Sequence, residues 1–380
     1  MAKKIWLSLA HMGGHEQRFV QDAFDSNWVV PLGPNLDGFE KDIENFIGGG
    51  KFVVGLSSGT AAIHLALLLL NVQQGDDVIC QSFTFSASAN PIVYLGANPI
   101  FVDSEPDTWN LSPECLEEAI LRVITLKGRP PKAIIAVHLY GMPFNIGRIV
   151  PIAKKYGVPI VEDAAEAMGS EYDGKKCGTF GEFGILSFNG NKIITTSGGG
   201  AIICNSKQIA ERVKFYATQA REDKPFYYHT KIGFNYRMSN ICAGIGRGQM
   251  MVLDEHIERR KSIHKMYSAL LSDIEGVEVK QSADPIYNSN FWLTCILISK
   301  KILGKTPLEV MQELSSREIE SRLLWRPMHM QPVFQSASYF GTNVSEKIFN
   351  EGLCLPSGSS LLDSDIECVV DSLKEIFRAK

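Results

Sequence analysis

The chain has 380 residues, 45% hydrophobic and 21% charged, with a formal net charge of -4 and a pI near 6.1. That is the profile of an ordinary globular protein whose core is large enough to need neither disulfides nor a metal. It lacks the basic surplus that a nucleic-acid or anionic-membrane partner would require.

Length favours one large domain and a smaller one. The eight cysteines (Cys80, Cys115, Cys177, Cys204, Cys242, Cys295, Cys354 and Cys368) are scattered singly, with no CxxC pair and no close Cys/His cluster. Free thiols in a reducing compartment are expected, and no zinc. The N-terminal stretch has no sustained apolar region or small-residue cleavage site, and no run approaches a membrane span, so a cytoplasmic protein without membrane insertion is expected.

In chain order, residues 26–33 read as a loop after a first helix. Leu36, Phe39, Ile43 and Phe46 have helical spacing, ended by Gly48, Gly49 and Gly50. A strand over 51–56, a turn through Ser57, Ser58, Gly59 and Thr60, and an apolar helix over 61–70 follow. Strands are expected at 77–81, 99–103, 133–138 and 159–162, with helices at 86–95, 111–121 and 146–156 between them. Ser112 is a plausible N-cap, with Pro113 in the first turn. Two further strands, 184–187 and 201–204, flank the segment carrying Lys192. Short apolar strands separated by helices imply a mainly parallel α/β sheet, which binds ligands at the carboxyl ends of its strands.

From Asp254 the pattern changes. A charged helix leads to strands near 277–280 and 292–298 and to helices at 307–315 and 365–377. The expected division is 1–253 for a large domain and 254–380 for a smaller α+β one.

Three segments carry candidate chemistry. SSGTAAIHLAL, from Ser57, turns from a strand into a helix whose free N–H groups can hold a phosphate, or merely be capped. In VEDAAEAMGS, Asp163 follows an apolar strand and is either a cap or a partner for a protonated ring nitrogen. In SFNGNKIITTSGGG, Lys192 lies between core strands, beside Gly198, Gly199 and Gly200, which permit sharp turns or close backbone approach. Most lysines are solvated surface residues, but one in such a loop is a usable amine for covalent catalysis.

Taken in order with QSFTFSASANPI, GFNYRMSN and WRPMHMQPVF, these segments resemble the DegT/DnrJ/EryC1/StrS aminotransferases, over essentially the whole chain. These are fold-type I enzymes that use pyridoxal phosphate (PLP) on sugar nucleotides. The resemblance implies that Lys192 anchors PLP and moves protons, that Asp163 binds the pyridine nitrogen, and that Ser58, Gly59, Thr60 and Ser187 hold the phosphate. It implies that Phe85 stacks on the ring and that Glu166 sits near the cofactor or substrate. Asn235 would reach the neighbouring subunit's PLP in a homodimer with shared sites. Trp325, Arg326 and His329 would line the sugar-nucleotide side, and Asn189 would contact substrate. Arg237 would be either an anchor or a carboxylate contact.

Most members carry GEGG after the lysine; Ser197 to Gly200 here resembles the subgroup that aminates C4 of UDP-linked 4-keto-6-deoxy-N-acetylhexosamines for surface glycans. The implied substrates are small molecules: an amino-acid donor, L-glutamate first, and a keto-sugar nucleotide. The alternatives are a 3-keto or a dTDP- or GDP-linked sugar, and a non-catalytic PLP-binding regulator.

Overall fold

The computed structural model describes residues 4–282 and 284–378. Helices α1 (Glu16–Asp25) and α2 (Pro34–Ile47) precede strand β1 (Phe52–Leu56) and helix α3 (Gly59–Leu69). The alternation continues through β2 (Asp77–Gln81), α4 (Ser86–Tyr94), β3 (Asn98–Val102), α5 (Pro113–Lys127), β4 (Ala133–Val137), α6 (Ile146–Tyr156) and β5 (Ile160–Asp163). A short hairpin, β6 (Glu171–Tyr172) and β7 (Lys175–Lys176), leads to β8 (Phe183–Ser187), β9 (Gly200–Cys204), α7 (Lys207–Ala217) and α8 (Asn240–Met250).

Apolar, largely β-branched strands such as Ala133–Val137 are buried along their whole length, as a sheet covered by helices on both faces demands. Eight strands form one sheet in the order β1-β9-β8-β5-β4-β2-β3, closed by β14 (Ser338–Phe340) at the far edge. Pairing is parallel from β8 to that edge. Strand β9 is antiparallel to both of its neighbours, β8 and β1. The β8–β9 segment therefore leaves and re-enters the sheet at one edge, where the carboxyl ends of β1, β4 and β5 also lie. That geometry gathers the candidate segments.

After α9 (Leu253–Leu270), the chain builds an antiparallel sheet from β10 (Val277–Val279), β12 (Thr294–Ile298), β13 (Arg322–Leu323) and β15 (Gly352–Leu355). Strand β11 (Tyr287–Asn288) instead joins the β6–β7 hairpin. Helices α10 (Lys300–Leu303), α11 (Pro307–Ser316), α12 (Val344–Glu351) and α13 (Asp363–Arg378) complete this half. Two segments cross the expected 253/254 division. Ile5 bridges to Ile319 and packs into the core of the second half, while β14 pairs with β3 of the large sheet.

Several local expectations meet their physical reasons. Ser112 Oγ accepts the Cys115 N–H and caps α5, which ends on left-handed Gly128. The helix expected over 61–70 begins two residues earlier, inside the SSGT segment. All eight cysteines are free thiols; Cys295 and Cys354 face each other across β12 and β15 with sulfurs 3.8 Å apart. No helix among the described residues is long and apolar enough to cross a membrane.

A buried polar knot ties β4 to β5. Phe144 N–H donates to His138 Nδ1, so His138 donates from Nε2 to Glu162 at 2.7 Å. Glu162 also accepts the N–H groups of Gly178, Phe180 and Gly181. Cys177 completes a trio whose ligand atoms lie within 4.8 Å of one another. The carboxylate's four acceptor sites are already filled and both His138 nitrogens are engaged, so these two residues serve structure and offer an ion no free lone pair.

Candidate active site

A cavity of about 620 Å³ opens at the sheet edge just described, a size typical of small-molecule sites. Ser58, Gly59, Thr60, Phe85, Asp163, Glu166, Ser187, Asn189, Lys192 and Trp325 all line it. These residues come from five separate segments, and the chain order of the strands brings them together.

Lys192 lies on the β8–β9 segment, with its side chain mostly buried. Its Nζ is 3.1 Å from Glu166 Oε1 and 4.1 Å from the centroid of the Trp292 ring. The segment is fixed from outside: Asn191 O accepts from Trp292 Nε1 at 2.8 Å and from Ser8 Oγ at 2.9 Å, and Gln249 Oε1 accepts the Thr195 N–H. Lys192 is thus an amine aimed into the cavity, on a strap tied by the N-terminal segment and the second half of the chain.

Asp163 ends β5 with its carboxylate at the cavity wall. Oδ2 accepts from Ser88 Oγ at 2.7 Å, and Ser88 is in turn 2.7 Å from Thr84 Oγ1. Oδ1 accepts the Ala165 N–H at 3.2 Å. These bonds orient an acceptor group suited to a protonated ring nitrogen.

Glu166 is buried, and Tyr140 N–H donates to its Oε2 at 2.8 Å. Burial pushes its carboxyl up from 4.5 to about 7, against the downward pull of Lys192 and of that N–H. The folded protein thus keeps a proton that an unfolded glutamate has already released, and ionising it costs stability as pH rises toward 7. In the cofactor-free protein, Glu166→Gln is expected to lose less thermal stability than wild type between about pH 5 and 8, by about 1–3 kcal/mol. Melting temperatures measured across that range check this; parallel profiles for the two proteins would contradict it.

The phosphate cradle is the start of α3. Ser58 Oγ accepts the Ala61 N–H at 3.0 Å, which caps the helix. Gly59 and Thr60 then present the first turn, with its partial positive charge, to the cavity beside Ser187. The glycine run has a specific use here. The left-handed backbone falls on Ser197 (φ 71°) rather than on a glycine. A Cβ on Gly200 would collide with the backbone of Ser58 and Gly59, and one on Gly199 with Thr196 and Met238. Strand β9 therefore lies directly beneath the cradle because Gly200 has no side chain. Gly200→Ala is expected to push the α3 start aside and weaken PLP binding about 10-fold or more, a loss of one or two charge-assisted bonds. Titration of PLP into the apo variant measures it; wild-type affinity would sink the idea.

The donor set fits PLP. An oriented carboxylate, a helix start with hydroxyls for a dianion, a buried amine and an aromatic face share one cavity. Phe85 is 56% exposed and tilted against Trp325, with ring centroids 5.6 Å apart, so its free face borders open space.

Four expected residues lie elsewhere in this subunit. Arg237 donates to Gly55 O at 2.8 Å and pairs with buried Glu40, which also accepts from Gly55 N and Lys214; it is an anchor of β1 and α2 outside the cavity. His329 is stacked on Tyr339 and held by Ser82 at 2.6 Å and Glu346 at 3.2 Å, a structural network beside the sheet edge. Arg326 is exposed and does not line the cavity. Asn235 is exposed, bridged to Thr218, and does not itself line this subunit's cavity, although Tyr236 O beside it accepts the N–H of the lining residue Ser57 at 2.8 Å.

Other residues line or brace the cavity without having been singled out. Trp292, Arg322 and Asn191 line it, and Ser88 holds Asp163. Asn290 fixes the Glu166 turn, donating to Glu166 O and Met168 O while accepting the Trp292 N–H. Tyr140, at φ 53°, packs against Trp292 and Trp325 and accepts the Trp325 N–H. Local pattern offered little signal for any of them, apart from Trp292, which opens the strand expected near 292–298.

Comparison with known proteins places the site in context. Residues 11–374 match the DegT/DnrJ/EryC1/StrS aminotransferase family. EpsN of Bacillus subtilis (strain 168), whose name carries pyridoxal phosphate-dependent aminotransfer but no substrate, is 48% identical over 99% of this chain and 97% of its own. GDP-perosamine synthase of Escherichia coli O157:H7 is 35% identical over 97% of each chain. The crystal structure of a DegT DnrJ EryC1 StrS aminotransferase from Brucella abortus superposes with a TM-score of 0.89 at 28% identity, covering 96% of each chain.

Proposed function

The chain belongs to the DegT/DnrJ/EryC1/StrS aminotransferase family and is a PLP-dependent aminotransferase, and on that premise we propose that its acceptor is a nucleotide-linked keto sugar. The reading goes one step finer: amination of C4 of a UDP-linked 4-keto-6-deoxy-N-acetylhexosamine, with L-glutamate as donor. Its support is the Ser197-to-Gly200 pattern, together with a cavity lined by both the Lys192 amine and the Phe85–Trp325 pair. The name of the GDP-perosamine synthase relative favours a GDP-linked sugar as the second reading.

When bound, PLP supplies an electron sink for the carbanion formed at the reacting carbon. The chain's own residues do the rest. The start of α3, with Ser58, Thr60 and Ser187, holds the phosphate. Asp163 keeps the ring nitrogen protonated. Lys192 Nζ would take a proton from the donor's Cα, hold it and give it back, as general base and then acid. Glu166 faces that amine and can hold a proton close to neutral pH. Trp292 and Leu293 wall the cavity on the side of the second half of the chain.

The active unit in this proposal is a homodimer. Asn235 is exposed and does not line its own cavity, as expected of a residue that serves a neighbour's phosphate. The adjoining stretch exposes Phe226, Tyr227 and Ile232.

The observation that carries the reading is the convergence of Lys192, Asp163 and the α3 cradle on one cavity in a chain of this family. The test is a panel of UDP-, GDP- and dTDP-linked 4-keto and 3-keto sugars incubated with L-glutamate and read by product mass. Replacement of carbonyl by amine is expected first with the UDP-linked 4-keto N-acetyl sugar. Turnover of the GDP-linked sugar alone would favour the second reading, and no turnover of any panel member would end the proposal.

A further inference from the structure

Among the described residues that line the cavity, the charged side chains are Asp163, Glu166, Lys192 and Arg322. The first three are occupied by the chemistry above; Arg322 is not. It lies on β13, opposite Cys354 of β15, which also lines the cavity. Its Nη2 donates to Glu320 Oε1 at 2.9 Å, and Glu320 Oε2 accepts the Leu7 N–H at 3.0 Å. Leu7 is a wall residue too. The guanidinium is therefore steered from behind by a carboxylate anchored on backbone, while its own side chain stays 67% exposed. That contact takes one of the five N–H donors of a guanidinium.

We propose that Arg322 binds the α-carboxylate of the amino-acid donor. Any α-amino acid carries a carboxylate one bond from its reacting carbon. To react it must enter a cavity whose other charged wall residues include two carboxyl groups, Asp163 and Glu166, neither of which can pair with it. Lys192 is the reacting amine and is not available as a standing counter-ion. Arg322 is the remaining cation of the wall, and its planar fork matches a carboxylate with two parallel hydrogen bonds. The inference rests on the two-substrate reading above, but it concerns only the donor half.

The test uses Arg322→Gln and Arg322→Lys in the holoenzyme. The donor half-reaction with L-glutamate, run without acceptor, is followed by the loss of visible cofactor absorbance. Calorimetry separately measures the binding of glutarate, an unreactive dicarboxylate, and of UDP. Arg322→Gln is expected to raise half-saturating glutamate on the order of 10- to 100-fold, the loss of a charged hydrogen-bonded pair. The limiting rate, melting temperature and UDP affinity stay near wild type. Glutarate affinity falls in parallel, and Arg322→Lys recovers part of both. Unchanged glutamate saturation and glutarate binding in Arg322→Gln would overturn the proposal. So would weakened UDP binding with glutarate unaffected, since the guanidinium would then serve the acceptor's diphosphate. The donor half-reaction needs no sugar nucleotide, so failure of the acceptor reading leaves a different signature.

Discussion

Lys192→Ala is expected to lower kcat about 10,000-fold or more, the combined loss of the anchoring amine and of the general base. No second lysine lines the cavity among the described residues, so nothing can substitute. The variant should still fold. Removing the amine leaves Glu166 without its cationic partner, but burial already favours the neutral acid, so the carboxyl keeps its proton to higher pH and no buried charge is stranded. The α3 cradle and Asp163 remain, so PLP should still bind without a covalent link. Single-turnover assays with glutamate, alongside dialysis to measure retained cofactor, separate the two effects. Wild-type turnover in this variant would remove the basis of the mechanism.

The second large effect is expected at Asp163. Asparagine has nearly the same shape and is an equally good cap, so Asp163→Asn preserves the turn that follows β5. It cannot carry the negative charge that holds a ring nitrogen protonated. Amino transfer should therefore fall roughly 100- to 1,000-fold, the scale of losing one oriented electrostatic partner. PLP content and melting temperature should change little, because the amide oxygen can keep the Ala165 N–H while Ser88 Oγ turns to accept from the new Nδ2. The variant decides between the two roles that the sequence left open for this residue. If Asp163 served only as a cap, Asp163→Asn would retain full activity.

Much of this arrangement was legible in one dimension. Fully buried strands such as Ala133–Val137 stand out as apolar runs between helices, and their alternation implies a mainly parallel sheet. Lys192, Asp163 and the SSGT turn each sit at the end of a strand or on a strand-to-strand connection, where a sheet of this kind places its ligand, so their order along the chain carried information. The exact start of α3 depends on how Ser58 Oγ meets the Ala61 N–H, and apolar periodicity does not report that. For Gly200 the glycine run left two readings, a sharp turn or close backbone approach. Its use is close approach to the backbone of the neighbouring turn, a contact that exists only after β9 has paired with β1 and β8.

Three of the remaining site residues were hidden for one physical reason. Trp292 and Arg322, which line the cavity, and Asn290, which braces it, come from the second half of the chain and are brought there only by tertiary packing, so no local spacing ties them to Lys192. Arg237 and His329 illustrate the converse. Each sits in a family-like segment, yet their nearest polar partners, Glu40 for one and Ser82 with Glu346 for the other, hold them in structural contacts. A lone histidine or arginine in a motif acquires meaning only from such neighbours.

The central claim is that Lys192 is the residue that takes up the cofactor. Borohydride reduction of the PLP-loaded enzyme, followed by digestion and mass analysis of the peptides, tests it most directly. The phosphopyridoxyl mass is predicted on the peptide containing Lys192, at about one label per chain, and absent from Lys192→Ala. Labelling of a different lysine, or equal labelling of the variant, would contradict the account.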